Sequence, residues 1–295
     1  MKTKRKNNNP APHPLPLGER DWVRGIEKAL DRFLPEAPAH PPEIHEAMRY
    51  AVLNGGKRFR PILVLAACEA VGGNPEKALL AASAVEMVHA YSLVHDDLPA
   101  LDNDDVRRGK PACHRKFGEA IAILAGDGLL TRAFELLATV KPAKKAVRLI
   151  HELSSAAGTQ GMIGGQAADI LFSKQEFGRS LDFSALDYIS RHKTGKLIEA
   201  SAVLGAVMGT NSEAKIERIR RFGQGLGFAF QVVDDIMDSD GYLRLMNLHE
   251  AQEKARHLIE RAEEEIGSLG PRAGRLLGLS QLLLERSKDH VPVGV

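Results

Sequence analysis

No proline occurs between Ala143 and Gly270. A run of that length with so few breakers is most readily filled by helices. Apolar residues recur at helical spacing in Leu79–Asp97 (Leu80, Ala84, Met87, Val88, Tyr91, Val94) and again in Ile216–Asp238. Ala251–Ile266 is amphipathic with a charged outer face. Pro75, Pro99, Pro111, Pro142 and Pro271 fall between helical stretches. Asn54-Gly55, Asp127-Gly128 and Asp240-Gly241 are turn-type pairs, but none is flanked by the alternating pattern of a hairpin, so each reads as a helix end or loop. No tandem repeat is visible. The spacing predicts an all-α bundle forming one domain over 20–295. Residues 1–19 are predicted to be a disordered arm. They bring a basic patch, prolines and asparagines but no apolar segment of the kind a signal peptide needs.

Composition removes several classes of function. A net charge of +2 gives no global basic field for nucleic acid, and 5% aromatics are too sparse for base-stacking platforms. No stretch approaches the ~18 uninterrupted apolar residues of a membrane span, so no stable membrane insertion is expected. Cys68 and Cys113 form no CxxC pair and read as reduced thiols of a cytoplasmic protein.

Two acidic clusters carry the chemistry. The first is His95-Asp96-Asp97-Leu98-Pro99-Ala100-Leu101-Asp102-Asn103-Asp104-Asp105-Val106-Arg107-Arg108, and the second is Phe230-Gln231-Val232-Val233-Asp234-Asp235-Ile236-Met237-Asp238. At ~4 Å and an effective dielectric of ~20, each like-charged pair costs roughly 4 kcal/mol. Hard divalent cations such as Mg²⁺ would offset that cost. A solvated acidic face is the simpler reading of a charge run, but both clusters adjoin apolar sequence. Asp234 and Asp238 share a helix face, with Asp235 beside them. Two such arrays facing each other across a bundle could hold several cations, and these could neutralise a diphosphate as it leaves. Gly55-Gly56-Lys57-Arg58-Phe59-Arg60-Pro61 combines a permissive backbone with three cations at a helix N-terminus, a favourable anion site. Arg107, Arg108 and His192-Lys193-Thr194-Gly195 add further cations and a hydroxyl. Any one of these is more often a surface basic residue. Beside two aspartate arrays they point together to phosphate.

These segments, with His89–Arg108, Cys113–Gly126 and Gly164–Asp169, resemble the polyprenyl synthetase family of trans-prenyltransferases, and most of all its bacterial farnesyl diphosphate synthases. The resemblance runs from about Trp22 to the C-terminal region. It implies the isoprenoid synthase helical bundle, usually a homodimer, with about three Mg²⁺ per site. It implies that Asp96, Asp97 and Asp102 hold the cations that grip an allylic diphosphate, and that Asp234, Asp235 and Asp238 hold a further ion from the opposite side. Arg107 would contact the allylic diphosphate. Lys57, Arg60, His89 and Arg108 would bind isopentenyl diphosphate. Lys193, Thr194 and Gln231 would line the reacting centre, with Gln166 and Asp169 on the same wall. The expected reaction is head-to-tail condensation of isopentenyl diphosphate with dimethylallyl or geranyl diphosphate to give farnesyl diphosphate. A geranylgeranyl diphosphate synthase is the alternative. Tyr91, beside the small Ser92, lies about 7.5 Å upstream of Asp96 along a helix and would act as the floor that stops the chain at C15.

One departure stands out. The family carries a long polar loop with lysines after the second acidic cluster, whereas Asp238-Ser239-Asp240 runs straight into Gly241-Tyr242-Leu243-Arg244. Either that loop is deleted or a segment is missing near 240–241, and the second is the expectation. Other classes fit less well. Class I terpene cyclases and head-to-head synthases differ in their metal motifs. Glu86-Met87-Val88-His89 has the spacing of a di-iron carboxylate bundle but no second copy, and the stretch from Asp102 lacks the glycine and ligands of a calcium loop.

Overall fold

The structure, a computed structural model, describes residues 19–173 and 182–288. The arm expected over 1–19 lies almost wholly outside the described residues. Thirteen α-helices are described: α1 Glu19–Phe33, α2 Pro42–Leu53, α3 Phe59–Ala70, α4 Pro75–Asp96, α5 Cys113–Phe117, α6 Glu119–Ala138, α7 Ala143–Ala157, α8 Met162–Ser173, α9 Phe183–Ile189, α10 Lys196–Gly209, α11 Glu213–Asp238, α12 Leu248–Ile266 and α13 Gly274–Lys288. A π-helical turn, Ser190–Gly195, joins α9 to α10. The strands among the described residues are two short ones, Val106–Arg107 and Lys110–Pro111, paired antiparallel. The fold is therefore the expected all-α bundle.

Helices α3, α4, α10 and α11 form its centre, with α6 laid on α4 and α12 on α11. The sequence dictates this layering. Nearly every residue of α3 and α10 is apolar or small, and both helices are buried on all sides, as an all-round apolar helix must be. Helix α4 is apolar and long enough to cross a membrane by composition alone. Its buried residues, from Ala78 to Val94, instead pack against α3, α6 and α10. By contrast, α12 buries Ala251, Ala255, Ile259, Ala262 and Ile266 at helical spacing and turns its charges outward.

Helix starts follow local chemistry. Asn74 accepts from Glu76 N at 2.9 Å and Pro75 opens α4. Asn247 and Glu250 form a reciprocal capping box at α12. At 240–241, where a further segment is expected, the chain makes a tight turn. Asp240 N donates to the Asp235 carbonyl at 3.0 Å, Asp240 Oδ1 accepts from Gly241 N at 2.7 Å, and a 3₁₀ turn, Gly241–Arg244, leads directly into α12. Asp235 and Asp240 thereby satisfy the backbone amides of this turn.

Candidate active site

Helix α4 ends at Asp96, and the segment after it folds back over that end. Asp102 N donates to the Asp96 carbonyl at 2.9 Å, Asn103 N to Leu98 and Asp104 N to Asp97. This wrap brings Asp102 beside Asp96. Burial pushes the Asp96 carboxyl up to about 6, and the Asp102 charge adds to that rise while Lys193 opposes it. Asp97, the next residue, already has a partner. It is 2% exposed and grips Arg107, whose Nε reaches its Oδ1 at 3.0 Å.

The sequence pattern misses the hairpin that follows. Arg108 (φ 55°) and Gly109 (φ 76°) form its turn, as two-residue hairpins require. The turn sends Arg107 to Asp97 and Arg108 to the carbonyl of Gly55. Gly56 makes room: a Cβ there would lie 2.7 Å from the Arg108 guanidinium carbon, and its φ of +126° favours glycine as well.

The three cations of Lys57-Arg58-Phe59-Arg60 separate. Arg58 is not available to a ligand. Its side chain is fully buried, donating to Glu27 at 2.7 Å, Glu86 at 2.6 Å and the Val52 carbonyl at 2.7 Å. Glu86, the first residue of the di-iron-like Glu-x-x-His spacing, is thereby spent on an arginine. Lys57 and Arg60 remain at the start of α3, which no side chain caps. Arg60 lies 3.5 Å from His89 Nε2, and its Nε is buried with no partner. Burial, then Arg60, Arg108, Arg107 and Arg58, hold the His89 imidazole well below its ordinary value, so it is neutral.

Across the bundle, α8 approaches the π-helical turn so closely that a Cβ on Gly165 would lie 2.1 Å from Lys193 N. This contact seats Lys193, whose Nζ pairs with Asp169 at 2.6 Å. Thr194 Oγ donates to Gln231 Oε1 at 2.6 Å, and Gln231 Nε2 donates to Asp235 Oδ1 at 2.7 Å. Gln166 Oε1 is buried without a partner. Asp235 Oδ2 also accepts from Tyr242 N at 3.1 Å, and burial pushes its carboxyl up to about 7. Asp234 pairs with Arg286 of α13 at 3.2 Å, a residue the sequence reading did not single out. Lys57 and Arg60 also act on the Asp234 charge, and both act to lower its raised pKa.

The two acidic clusters are thus linked by two arcs, each made partly of hydrogen bonds and partly of charges acting through space. One arc runs from Asp96 through Lys193, Thr194 and Gln231 to Asp235. The other runs from Asp234 through Arg60 to His89 on α4. Among the described residues, no three His, Cys, Asp or Glu side chains form a ready-made metal cluster. That still suits Mg²⁺, which binds through one or two carboxylates and completes its shell with water and phosphate oxygens. The donor set is all carboxylate, the hard oxygen that Mg²⁺ prefers.

Upstream, Tyr91 is 5% exposed, and its hydroxyl is buried with no hydrogen-bond partner. Its ring meets His95 edge-on at 5.7 Å. His95 in turn sits in a notch of α6, where a Cβ on Gly126 would lie 2.2 Å from its Nε2, and is bonded to the Ile123 carbonyl at 3.0 Å. Ser92 Oγ is spent on the His89 carbonyl at 2.9 Å.

Residues 41–244 match the polyprenyl synthetase family model. The chain is 40% identical over 290 residues to a farnesyl diphosphate synthase of Geobacillus stearothermophilus, covering 90% of this chain and 95% of that protein. It is 45% identical over 270 residues to geranylgeranyl pyrophosphate synthase 4 of Arabidopsis thaliana, covering 90% of this chain and 66% of that longer protein. The solved apo structure of an FPP/GFPP synthase from Zymomonas mobilis superposes with a TM-score of 0.84 at 35% identity, over 90% of this chain and 96% of that one.

Proposed function

The chain belongs to the polyprenyl synthetase family, a family of prenyltransferases, and on that premise we propose that it condenses isopentenyl diphosphate with dimethylallyl or geranyl diphosphate and releases farnesyl diphosphate. The observation that carries this reading is the pair of linked arcs between the two acidic clusters. It sets carboxylates at two helix ends, a cationic face at the start of α3 and a hydroxyl–amide pair between them.

Asp96 and Asp102 would hold Mg²⁺ on one side, and Asp234 and Asp238 on the other, about three ions in all. Asp97, gripped by Arg107, and Asp235, held by Gln231 and Tyr242, complete the two acidic clusters and could give up those partners to ligate an ion directly. The bound ions supply charge neutralisation for the departing diphosphate. Arg107 and Lys193 face that group and stabilise the charge developing on it. Lys57, Arg60 and Arg108 hold the second diphosphate, and neutral His89 can donate one hydrogen bond to it. Once the allylic C–O bond breaks, the Thr194 hydroxyl and Gln231 amide present fixed dipoles to the carbocation. The isopentenyl double bond forms the new C–C bond, and a proton then leaves, with the released diphosphate as its acceptor. Gln166 and Asp169 close the wall beside Lys193.

Tyr91 favours a C15 product over the geranylgeranyl alternative, because its ring is backed by His95 and α6 and cannot easily yield. We also assign a homodimer in the cytoplasm; Ile123 and Leu124 on α6, 43% and 51% exposed, suit a partner surface. The test is direct: incubate the protein with Mg²⁺, isopentenyl diphosphate and each allylic starter, then size the dephosphorylated alcohols. A C15 alcohol is expected. A C20 product would select the alternative, and no product with any starter would overturn the reading.

A further inference from the structure

The hydrogen bonds that fix Thr194 and Gln231 do not end at Asp235. Asp235 Oδ2 accepts from the backbone N of Tyr242 at 3.1 Å, and the far end of that residue is held as well. Tyr242 is 0% exposed, and a buried phenol needs a partner. Its hydroxyl donates to the Asp187 carboxylate on α9. Asp187 is itself kept in place by Lys254 of α12, which donates to it at 3.1 Å. The Lys254 ammonium also stands 4.5 Å from the centroid of the Tyr242 ring and 5.0 Å from that of Phe228. Both ends of Tyr242 are therefore tied down.

Asp187 and Thr194 belong to one short stretch, α9 and the π-helical turn that follows it. The bonds therefore close a circuit. It runs from Asp187 to the Tyr242 hydroxyl, from Tyr242 N to Asp235, from Asp235 to Gln231 and from Gln231 to Thr194, then returns to Asp187 along the backbone. Single π-helical turns are rare and collect at functional sites. This one is tied to α11 directly by Thr194, and the helix that leads into it is tied to α11 through Tyr242. The turn that carries Tyr242 is pressed onto the same carboxylate: a Cβ on Gly241 would overlap Asp235, and the φ of Gly241 is +52°.

We propose that Tyr242, anchored by Asp187, is a positioning residue of this site: it holds Asp235 against Gln231 and so fixes the Thr194 hydroxyl and the Gln231 amide that face the reacting centre. This rests on the prenyltransferase reading above. Tyr242 is too deeply buried to touch a substrate. Its effect reaches the reaction only through Gln231 and Thr194, so it falls on the chemical step and not on the binding of either diphosphate.

The full chain is compared with Tyr242→Phe, which keeps the buried ring and removes only the hydroxyl, and with Asp187→Leu and Asp187→Asn. Asn keeps a carbonyl oxygen for the phenol and Leu does not. In Tyr242→Phe and Asp187→Leu, kcat should fall about tenfold or more while the KM for each diphosphate stays within about twofold. Asp187→Asn should recover most of the loss. A cycle with Thr194→Val separates positioning from stability. Once the hydroxyl to be placed is gone, adding Tyr242→Phe should cost about twofold or less. Hydrogen exchange on the substrate-free protein, read by mass spectrometry, needs no turnover. The peptide covering 190–195 should exchange faster in Tyr242→Phe than in wild type, with α3 unchanged. An unchanged kcat in a folded Tyr242→Phe protein would overturn the assignment. So would the same loss in the Thr194→Val background as in wild type, which would mean that the hydroxyl merely steadies the packing of α12. If the wild-type protein makes no prenyl product, the functional reading fails while hydrogen exchange still judges the circuit, and unchanged exchange over 190–195 overturns it.

Discussion

Gln231 is held by Asp235. Its Nε2 donates to the Asp235 carboxylate at 2.7 Å, which turns its Oε1 toward Thr194 Oγ at 2.6 Å. Tyr242 N fills the other Asp235 oxygen at 3.1 Å, so the carboxylate works as a two-sided acceptor. With the amide oriented this way, the Thr194 proton points at Gln231 and its lone pairs are left for a cation.

Asp235→Asn removes one of those two acceptors and lets the Gln231 amide turn over. The expected result is a kcat about tenfold to a hundredfold lower, with the Mg²⁺ concentration for half-maximal rate unchanged. Steady-state kinetics over a Mg²⁺ series decides it. A large rise in that Mg²⁺ requirement would show Asp235 to be a direct ligand.

Tyr91→Ala should lengthen the product. The ring is buried against His95 and α6, and its hydroxyl bonds to nothing, so its contribution to this wall is bulk. Removing it opens space for at least one further C5 unit, and chromatography of the alcohols should show C20 or longer. An unchanged C15 product would remove Tyr91 from the floor.

Much of this was legible in the sequence, and the exceptions have a common cause. Helical periodicity and proline placement located the bundle, because α3, α4, α10 and α11 are buried over most of their length and their composition records it. The acidic clusters marked the two helix ends. Partner choice was not legible. Asp97 looks like Asp96 in sequence, yet a hairpin turn with positive φ at Arg108 and Gly109 delivers Arg107 to it alone. Arg58 looks like Lys57 and Arg60, yet Glu86, 28 residues on, claims it. Arg286 carries no local signal at all, since the packing of α13 on α11, α12 and α3 places it.

The Arg58–Glu86 pair makes a prediction about stability rather than catalysis. Both side chains are essentially inaccessible, 0% and 3% exposed. Arg58→Met strands the buried Glu86 charge, which costs about 3–5 kcal/mol, and should lower the chemical-denaturation stability by an amount in that range. Glu86→Gln should cost less, because Arg58 keeps Glu27 and the Val52 carbonyl. A loss below about 1 kcal/mol would place the pair among weak surface bridges.

His89 gives a pH dependence with a definite sign. Its folded pKa is depressed by burial first and by Arg60, Arg108, Arg107 and Arg58 after that. The unfolded chain takes up a proton near pH ~6.5 that the folded one refuses. The stability contributed by neutral His89 is therefore present above that pH and lost as pH falls below it. His89→Gln has no such proton to bind. Between pH 7.5 and 5.5 its melting temperature should fall less than that of wild type, by circular dichroism. Parallel curves would mean that His89 titrates normally.

Asp96 should separate stability from turnover. Burial raises its carboxyl to about 6 and the Asp102 charge adds to the rise, so the metal-free protein bears an unfavourable charge there at neutral pH. The sign is opposite to that of His89. The folded state holds a proton on Asp96 at pH values where the unfolded chain has already lost it, so the cost builds from the ordinary carboxylate range up to about 6 and is constant above that. Asp96→Asn deletes that charge without changing shape. Without divalent cations, its melting temperature at pH 8 should exceed that of wild type, and the gap should close by pH 4, where both proteins are neutral at this position. Turnover with Mg²⁺ should nonetheless drop by at least about a hundredfold, because the lost carboxylate is one that would hold the ion. Asp234→Asn should lose turnover as severely. Its metal-free stability should gain less than that of Asp96→Asn, because Arg286 already pairs with that carboxylate and would be left unpaired. Near-normal turnover in either variant would refute the metal role of that aspartate.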